Sequence, residues 1–514
     1  MNKSKFVIAL EISAGLIFSF QAICALNAQE KTSLLTSAPV VKAEAETVVE
    51  ADIEADAEAE TQAEVQPDEE MVTISAKEWA ALQQDVAAVK KQLADDKIKA
   101  DLKKAEEEKK KYTKPQNKLG GNILWDTGIC SLNDDCEAAG NVPNDGMKVR
   151  QAWIDLRGNW YDMINYRMTY DIANTNIKDL WIGLYNMPSG LDLKIGHMKE
   201  PWSTEELTAT EATLFMERSY MNNMRSICGS RNNGILVSNW TNADRFSWAA
   251  GVFASSMKEK TLGCVGEHGH LAFTTRATYL PFYEENCIGQ KFLLHFGASY
   301  SYRHFDQTKA ADYGTQCSFT GDTAICPAVL NTGLLTGLHD MNVVGLELYW
   351  IRGAFSMDVE HSVFFMQDDL AGDATVNAGF IEFAYTLTGE SRNYRKNGGS
   401  FGVLKPNCPF IRTCKDGVGV FTGPGAWEIA YQLSWVDTTD LVSGYSCEAN
   451  HTGTNGKALA NTIGLNWYLN ENMRWMFNYS LERVEYEGIG KNGADLSGTT
   501  GWEHIFGTRV QVTF

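Results

Sequence analysis

From Lys118 to Phe514 the chain alternates with a period of two. In Ala426–Trp435, Trp427, Ile429, Tyr431, Leu433 and Trp435 share one face, and Glu428, Ala430, Gln432 and Ser434 share the other. Successive side chains of a strand point to opposite sides, so this is a strand with one apolar face. The last segment repeats the pattern, with Phe506, Val510, Val512 and Phe514 opposite Arg509, Gln511 and Thr513. A soluble sandwich also alternates, but its strands are shorter and lack Trp and Tyr at both ends of the apolar face. Alternating segments of about ten residues with aromatic ends are the signature of a lipid-facing barrel wall. Sixteen such segments begin near residues 118, 147, 161, 176, 190, 232, 244, 269, 289, 340, 354, 374, 424, 457, 471 and 503. The expected fold is therefore all-β: a 16-stranded antiparallel transmembrane β-barrel. An even count puts both barrel ends in the periplasm. With the first strand running outward, the long connections 127–146, 199–231, 255–268, 304–339, 437–456 and 486–502 fall outside. Residues 390–423 break the rule, being long where a short periplasmic turn is due. Either a strand is miscounted there or the segment folds into the lumen.

Composition narrows the class further. Aromatic residues make up 11% of the chain, yet beyond the N-terminus no apolar stretch is long enough for a membrane helix. The net charge of −20 repels phosphate backbones and argues against a nucleic-acid partner. Residues 1–28 read as an export signal: Lys3 and Lys5, a mostly apolar run Phe6–Phe20 interrupted by Glu11, then cleavage after Ala25 or Ala28. Ile23 is too bulky to precede a lipidated Cys24. Residues 29–71 form an acidic Glu-Ala linker that cannot bury a core and is expected to be disordered. Residues 72–112 read as a periplasmic helix. Trp79, Leu82, Val86, Val89 and Leu93 alternate three and four apart, the seam of a short coiled coil that Asp96 ends. Two readings stand, a solvated spacer and an oligomerising stalk. Residues 113–514 make the barrel domain.

With the signal removed, ten of the 11 cysteines remain. An even number in an oxidising compartment points to disulfides. Pairs such as Cys130–Cys136, Cys317–Cys326 and Cys408–Cys414 would each staple one loop, while the connectivity stays open. Glu267-His-Gly-His270 lacks the spacing of a helical or finger metal site. No zincin, nucleophile-elbow or phosphate-loop motif occurs, so neither metal, cofactor nor catalysis is expected.

Gly196-His-Met-Lys-Glu-Pro-Trp-Ser-Thr-Glu-Glu-Leu207, continuing to Phe215-Met-Glu-Arg-Ser219, resembles the hallmark of the phosphate-selective porin O and P family. Val149-Arg-Gln-Ala152 with Leu156-Arg-Gly158, Leu387-Thr-Gly-Glu-Ser-Arg392 and Gly425-Ala-Trp-Glu428 resemble further family segments in the same order. The resemblance implies a homotrimeric outer-membrane porin that passes small hydrophilic solutes and ions, phosphate among the anions, by passive diffusion. It also implies that loop 199–231 folds inward to narrow the pore and that 390–423 enters the lumen. Lys199 and Arg218, within the motif, are the leading pore-facing bases, with Arg225 and Arg231 beside them. The competing reading is that these four bases pair with Glu200, Glu205, Glu206, Glu211 and Glu217 and pin the loop to the wall. Alternation places Arg157, Arg167, Lys194, Arg276, Arg303, Arg474 and Arg509 inside. It also places Asp155, Asp171, Asp192, Glu347, Asp358, Glu360, Glu382, Glu428 and Glu482 inside. The family's second arginine in an Arg-Arg pair is Gln151 here. This mixed lumen departs from an arginine-lined one and allows a weak cation preference. The alternative function is structural: a barrel that anchors the outer membrane in its lipid while the N-terminal helix contacts the cell wall.

Overall fold

A computed structural model describes residues 76–514, except 226, 228, 255–270, 288, 306–317, 322, 334, 336, 370–371, 414–416, 418, 442–453 and 489–494. The expected signal sequence and acidic linker lie outside the described residues. A single helix, α1, runs Ala76–Thr113. It continues through Asp96, because the Lys-, Glu- and Ala-rich stretch beyond consists of strong helix formers.

The wall strands of the first half are β1 (Gln116–Leu132), β2 (Gly146–Trp160), β3 (Ile164–Asp171), β4 (Asn176–Leu184), β5 (Asp192–Lys199), β6 (Arg231–Ser238), β7 (Phe246–Ala254), β8 (Leu271–Glu285) and β9 (Lys291–His304). Two short strands, β10 (Ser318–Thr320) and β11 (Ala328–Asn331), form a hairpin outside the wall sheet. The wall resumes with β12 (Leu338–Arg352), β13 (Phe355–Asp368) and β14 (Ala374–Thr386). Two more hairpins follow, β15 (Asn393–Arg395) with β16 (Ser400–Gly402) and β17 (Ile411–Thr413) with β18 (Gly419–Phe421). The wall ends with β19 (Ala426–Asp437), β20 (Asn455–Tyr468), β21 (Met473–Glu487) and β22 (Thr500–Thr513). The sixteen wall strands close into one antiparallel barrel, with Asn122 of β1 opposite Thr513 and Leu132 opposite Glu503. The offsets from the sequence reading are small, the largest being Ile164 against 161 and Thr500 against 503.

Closure leaves no free sheet edge, which a strand in hydrocarbon cannot tolerate. The terminal Phe514 completes it by exchanging backbone hydrogen bonds of 2.9 Å with Gly121 in both directions. Its ring lies where a Cβ on Gly121 would stand only 2.8 Å away, so the seam needs glycine there. The alternation is realised as expected. Ile429, Tyr431, Phe506 and Val512 are exposed on the outside, whereas Glu428, Gln432, Arg509 and Gln511 are buried within. An exterior this apolar is at home in lipid.

Long connections cluster at the end of the barrel away from the chain's two barrel termini. The exception is 387–425, and it does enter the lumen. Phe401 meets Tyr349 of β12 and Tyr394 edge-on, and these rings are buried beside Leu280 and Leu293. The second half of this segment stays at the rim, where Phe410 lies on Trp467 with ring centroids 5.0 Å apart.

A pore narrowed by two infolded segments

Loop 200–230 begins at a bent strand. Gly196 has φ 133°, and a Cβ there would sit 2.3 Å from the Leu180 carbonyl, so the motif opens on the residue this bend demands. The loop then turns inward around Trp202, which is buried. Ser203 caps a short helix, its hydroxyl accepting from the Glu206 N–H at 3.1 Å. Beyond it, Leu214 and Phe215 bury against Ala384 of β14 and Ala430 of β19, across the lumen from β5.

The loop's carbonyl groups cannot pair with a strand in mid-lumen, and a buried unpaired carbonyl is costly. Wall side chains satisfy them. Arg474 donates to the Thr213 carbonyl at 2.6 Å, Asn466 to Leu214 at 2.9 Å and Gln511 to Glu211 at 3.1 Å. Arg509 donates to the Met216 carbonyl and clasps Asp126 through two bonds of 2.7 Å. Arg150 clasps Glu217 at 2.6 and 2.9 Å.

Nine of the eleven bases singled out from the sequence fall into distinct settings, and Arg474 and Arg303 join them as buried clamps, Arg303 on Glu200. Lys199 and Arg218 converge on one loop carbonyl, that of Thr208, at 3.5 and 2.8 Å, and Lys199 pairs with Glu206 at 3.5 Å. Arg225 lies 3.6 Å from Glu200 and over the Trp202 ring. Arg231 pairs with Asp179 at 3.2 Å, and Arg167 bridges Asp155 and Asp179. Arg157 also pairs with Asp155 but remains largely exposed. Lys194 sits 4.4 Å over the Trp181 ring. Arg276 and Arg509 are buried, Arg276 against Glu347 at 2.6 Å. These bases serve mainly as clamps. Arg167 and Arg231 meet at Asp179, Arg157 and Arg167 at Asp155, and Lys199 and Arg218 at the loop backbone, which is what that last pair holds.

The space left between the infolded segments is acidic. A narrow chamber is bounded by Glu205 and Glu217 of the loop, Asp358, Glu360 and Glu382 of the wall, and Arg392 of the segment after β14. Arg392 pairs with Asp358 and lies 3.7 Å over the Phe401 ring. Burial pushes the Glu205 carboxyl up to about 7, although Ser219 donates to it at 2.7 and 2.6 Å. Burial also works against Glu206 and Glu217, yet Lys199 and Arg218 beside the first, and Arg150 and Arg509 beside the second, hold both down to about 2.

Sequence reasoning passed over Asp126, Asp179, Arg150 and Arg392. Arg150 and Arg392 both stand in segments that carry the family resemblance, which was the available signal. Asp126 and Asp179 carry no motif, and their partners are far along the chain or in another strand.

A model of the phosphate-selective porin O and P family matches residues 118–514. Porin O of Pseudomonas aeruginosa is 26% identical over 426 residues, which cover 77% of this chain and 88% of its own. Among solved structures, OprB of Pseudomonas putida aligns with a TM-score of 0.45 at 10% identity, over 77% of this chain and 94% of that one. The outer membrane channel DcaP of Acinetobacter baumannii aligns with a TM-score of 0.43 at 9% identity, over 78% and 97%. With nearly the whole barrel matched by one model, the chain belongs to the phosphate-selective porin O and P family.

Proposed function

We propose that this outer-membrane diffusion porin filters its solutes in the acidic chamber and favours small cations over anions of the same size. The observation that carries the reading is the chamber's lining: five carboxyl groups and one guanidinium, that of Arg392, border it, with Arg392 paired to Asp358 and Glu217 held from the wall by Arg150 and Arg509. In a confined space with little water, each such charge acts more strongly than it would in bulk. Phosphate, for which the family is named, meets carboxylates there, while the inward arginines are spent on the loop's carbonyls and on wall acids. In planar bilayers under a steep KCl gradient, the dilute side should become positive. A reversal potential of the opposite sign sinks the reading.

The chamber should also respond to pH. Glu205 is neutral below about 7 and negative above it, with Glu206, Arg218 and Glu360 nearby. Cation preference is therefore expected to grow as pH rises through 7, and Glu205→Gln, which can still accept the Ser219 N–H, should flatten that rise. A pH profile identical in the wild type and this variant would place the titration elsewhere.

We further propose that α1 brings three copies together. Val89 of its apolar seam is 56% exposed in the single chain, open for other helices to cover. Deleting residues 72–111 should leave a folded barrel whose oligomer dissociates at a lower temperature in semi-native electrophoresis. Unchanged heat resistance, with lost co-sedimentation with peptidoglycan, would assign the helix to the cell wall instead.

A further inference from the structure

Hairpin β10–β11 lies against the inside of the barrel wall, held by contacts from three directions. Phe319 meets the ring of Tyr220 edge-on, and Asn223 of the infolded loop donates to the Thr320 carbonyl at 3.1 Å. Asn331 pairs with Thr454 through backbone hydrogen bonds of 3.0 and 2.7 Å. On the third side, Asn144 donates to the Ile325 carbonyl at 3.2 Å, and a Cβ on Gly128 of β1 would stand 2.9 Å from the Thr323 hydroxyl. This last contact brings Cys326 to Cys130. Both are thiols in the structure, both are buried, and they share a small apolar cluster with Ile505. Their sulfurs and a carboxylate oxygen of Glu503 lie within 4.8 Å of one another. Cys136 is engaged elsewhere, its sulfur 3.4 Å from the Tyr486 hydroxyl and 3.5 Å from the Trp502 carbonyl.

We propose that Cys130 and Cys326 are joined by a disulfide that fastens the inner hairpin to the first wall strand. Two sulfurs on elements almost two hundred residues apart are brought together by independent hydrogen bonds and shut away from water, a proximity that sequence spacing cannot show. The export route passes through an oxidising compartment, where such neighbours do not remain thiols. The oxidant is a protein disulfide of a thiol oxidoreductase. One cysteine thiolate attacks it, forming a mixed disulfide and releasing one of the oxidoreductase's thiolates. The second cysteine thiolate then attacks the sulfur of the first, the intramolecular S–S bond forms, and the oxidoreductase leaves as a dithiol. The porin loses two electrons and two protons, and the oxidoreductase gains both. Because both sulfurs are buried in the finished barrel, the bond forms before or while the hairpin seats.

The test is peptide mapping by mass spectrometry on full-length protein extracted from outer membranes. The free thiols are alkylated in denaturant and no reductant is added. The expected product is a peptide pair containing Cys130 and Cys326, lighter by two hydrogens than the two reduced peptides together and separated by later reduction. In Cys326→Ser, Cys130 should become alkylated. Two thiols and a carboxylate are also a donor set for a zinc-like ion, so metal content is measured on the same sample. Alkylation of either cysteine in the wild type, a Cys130–Cys136 or Cys317–Cys326 linkage, or stoichiometric metal with both thiols recovered free would overturn the proposal.

Discussion

Replacing Arg509 by Met should destabilise the barrel by about 3–5 kcal/mol, the cost of removing one partner from a buried ion pair. Arg509 and Asp126 are both fully buried. The guanidinium holds the carboxylate through two bonds of 2.7 Å, meets Glu217 at 3.1 Å and donates to the Met216 carbonyl. Met fills much of the same volume and donates nothing, so Asp126 is left charged in a dry site and the Met216 carbonyl loses a donor. Glu217 keeps Arg150, which confines most of the damage to Asp126 and the loop. In the double variant Arg509→Met with Asp126→Asn, much of the loss should return, because the stranded charge is gone. The midpoint of urea unfolding, followed by the heat-modifiable shift on gels, measures both. A single-variant loss below about 1 kcal/mol, the scale of an exposed pair, would mean that this clamp does not hold the loop to the wall.

The barrel was legible because each wall strand carries its own evidence. Period two with aromatic ends needs no distant partner, and Trp427 to Trp435 or Phe506 to Phe514 can be read in isolation. The inward face was legible for the same reason, so Arg509, Arg276 and Glu382 were placed on it correctly. What each inward side chain touches was not legible. Arg509 finds Asp126, which sits almost four hundred residues away in sequence and becomes its neighbour only when the last strand closes on the first. Lys199 and Arg218 show a different limit. Counting acids against bases framed the choice as pore-facing or paired with carboxylates, whereas the bonds of both go largely to backbone carbonyls, which no charge count includes. Hairpin β10–β11 was hidden because its strands are three and four residues long, too short to show alternation. Cys326 was therefore considered with its near neighbour in sequence, Cys317, when its neighbour in space is Cys130.

Replacing residues 390–405 by a short Gly-Ser turn should give a barrel that still inserts and conducts markedly more current per channel. The segment fills the lumen together with loop 200–230, and the two lean on each other. Thr204 of the loop donates to the Gly399 carbonyl at 2.9 Å, Thr208 accepts from the Phe401 N–H at 3.1 Å, and Arg276 reaches the Gly399 carbonyl at 3.0 Å. The wall itself does not depend on the segment: β14 and β19 pair directly from Asn377–Asp437 to Thr386–Glu428, so a short turn can join them as short turns join the other strand pairs at that end. Arg276 keeps Glu347, and the loop keeps its anchors on β20, β21 and β22. Removing the segment also removes Arg392, the single base of the chamber, and leaves Asp358 facing the enlarged pore. Two effects on selectivity then compete. Greater width admits more water and weakens each charge, while the loss of Arg392 strips Asp358 of its counter-charge. Substituting Arg392→Gln alone, with the segment in place, separates them: the pore stays narrow and cation preference should rise. If excision leaves the single-channel current unchanged, ions cross by a route that avoids this segment, and the acidic chamber is not where the porin selects.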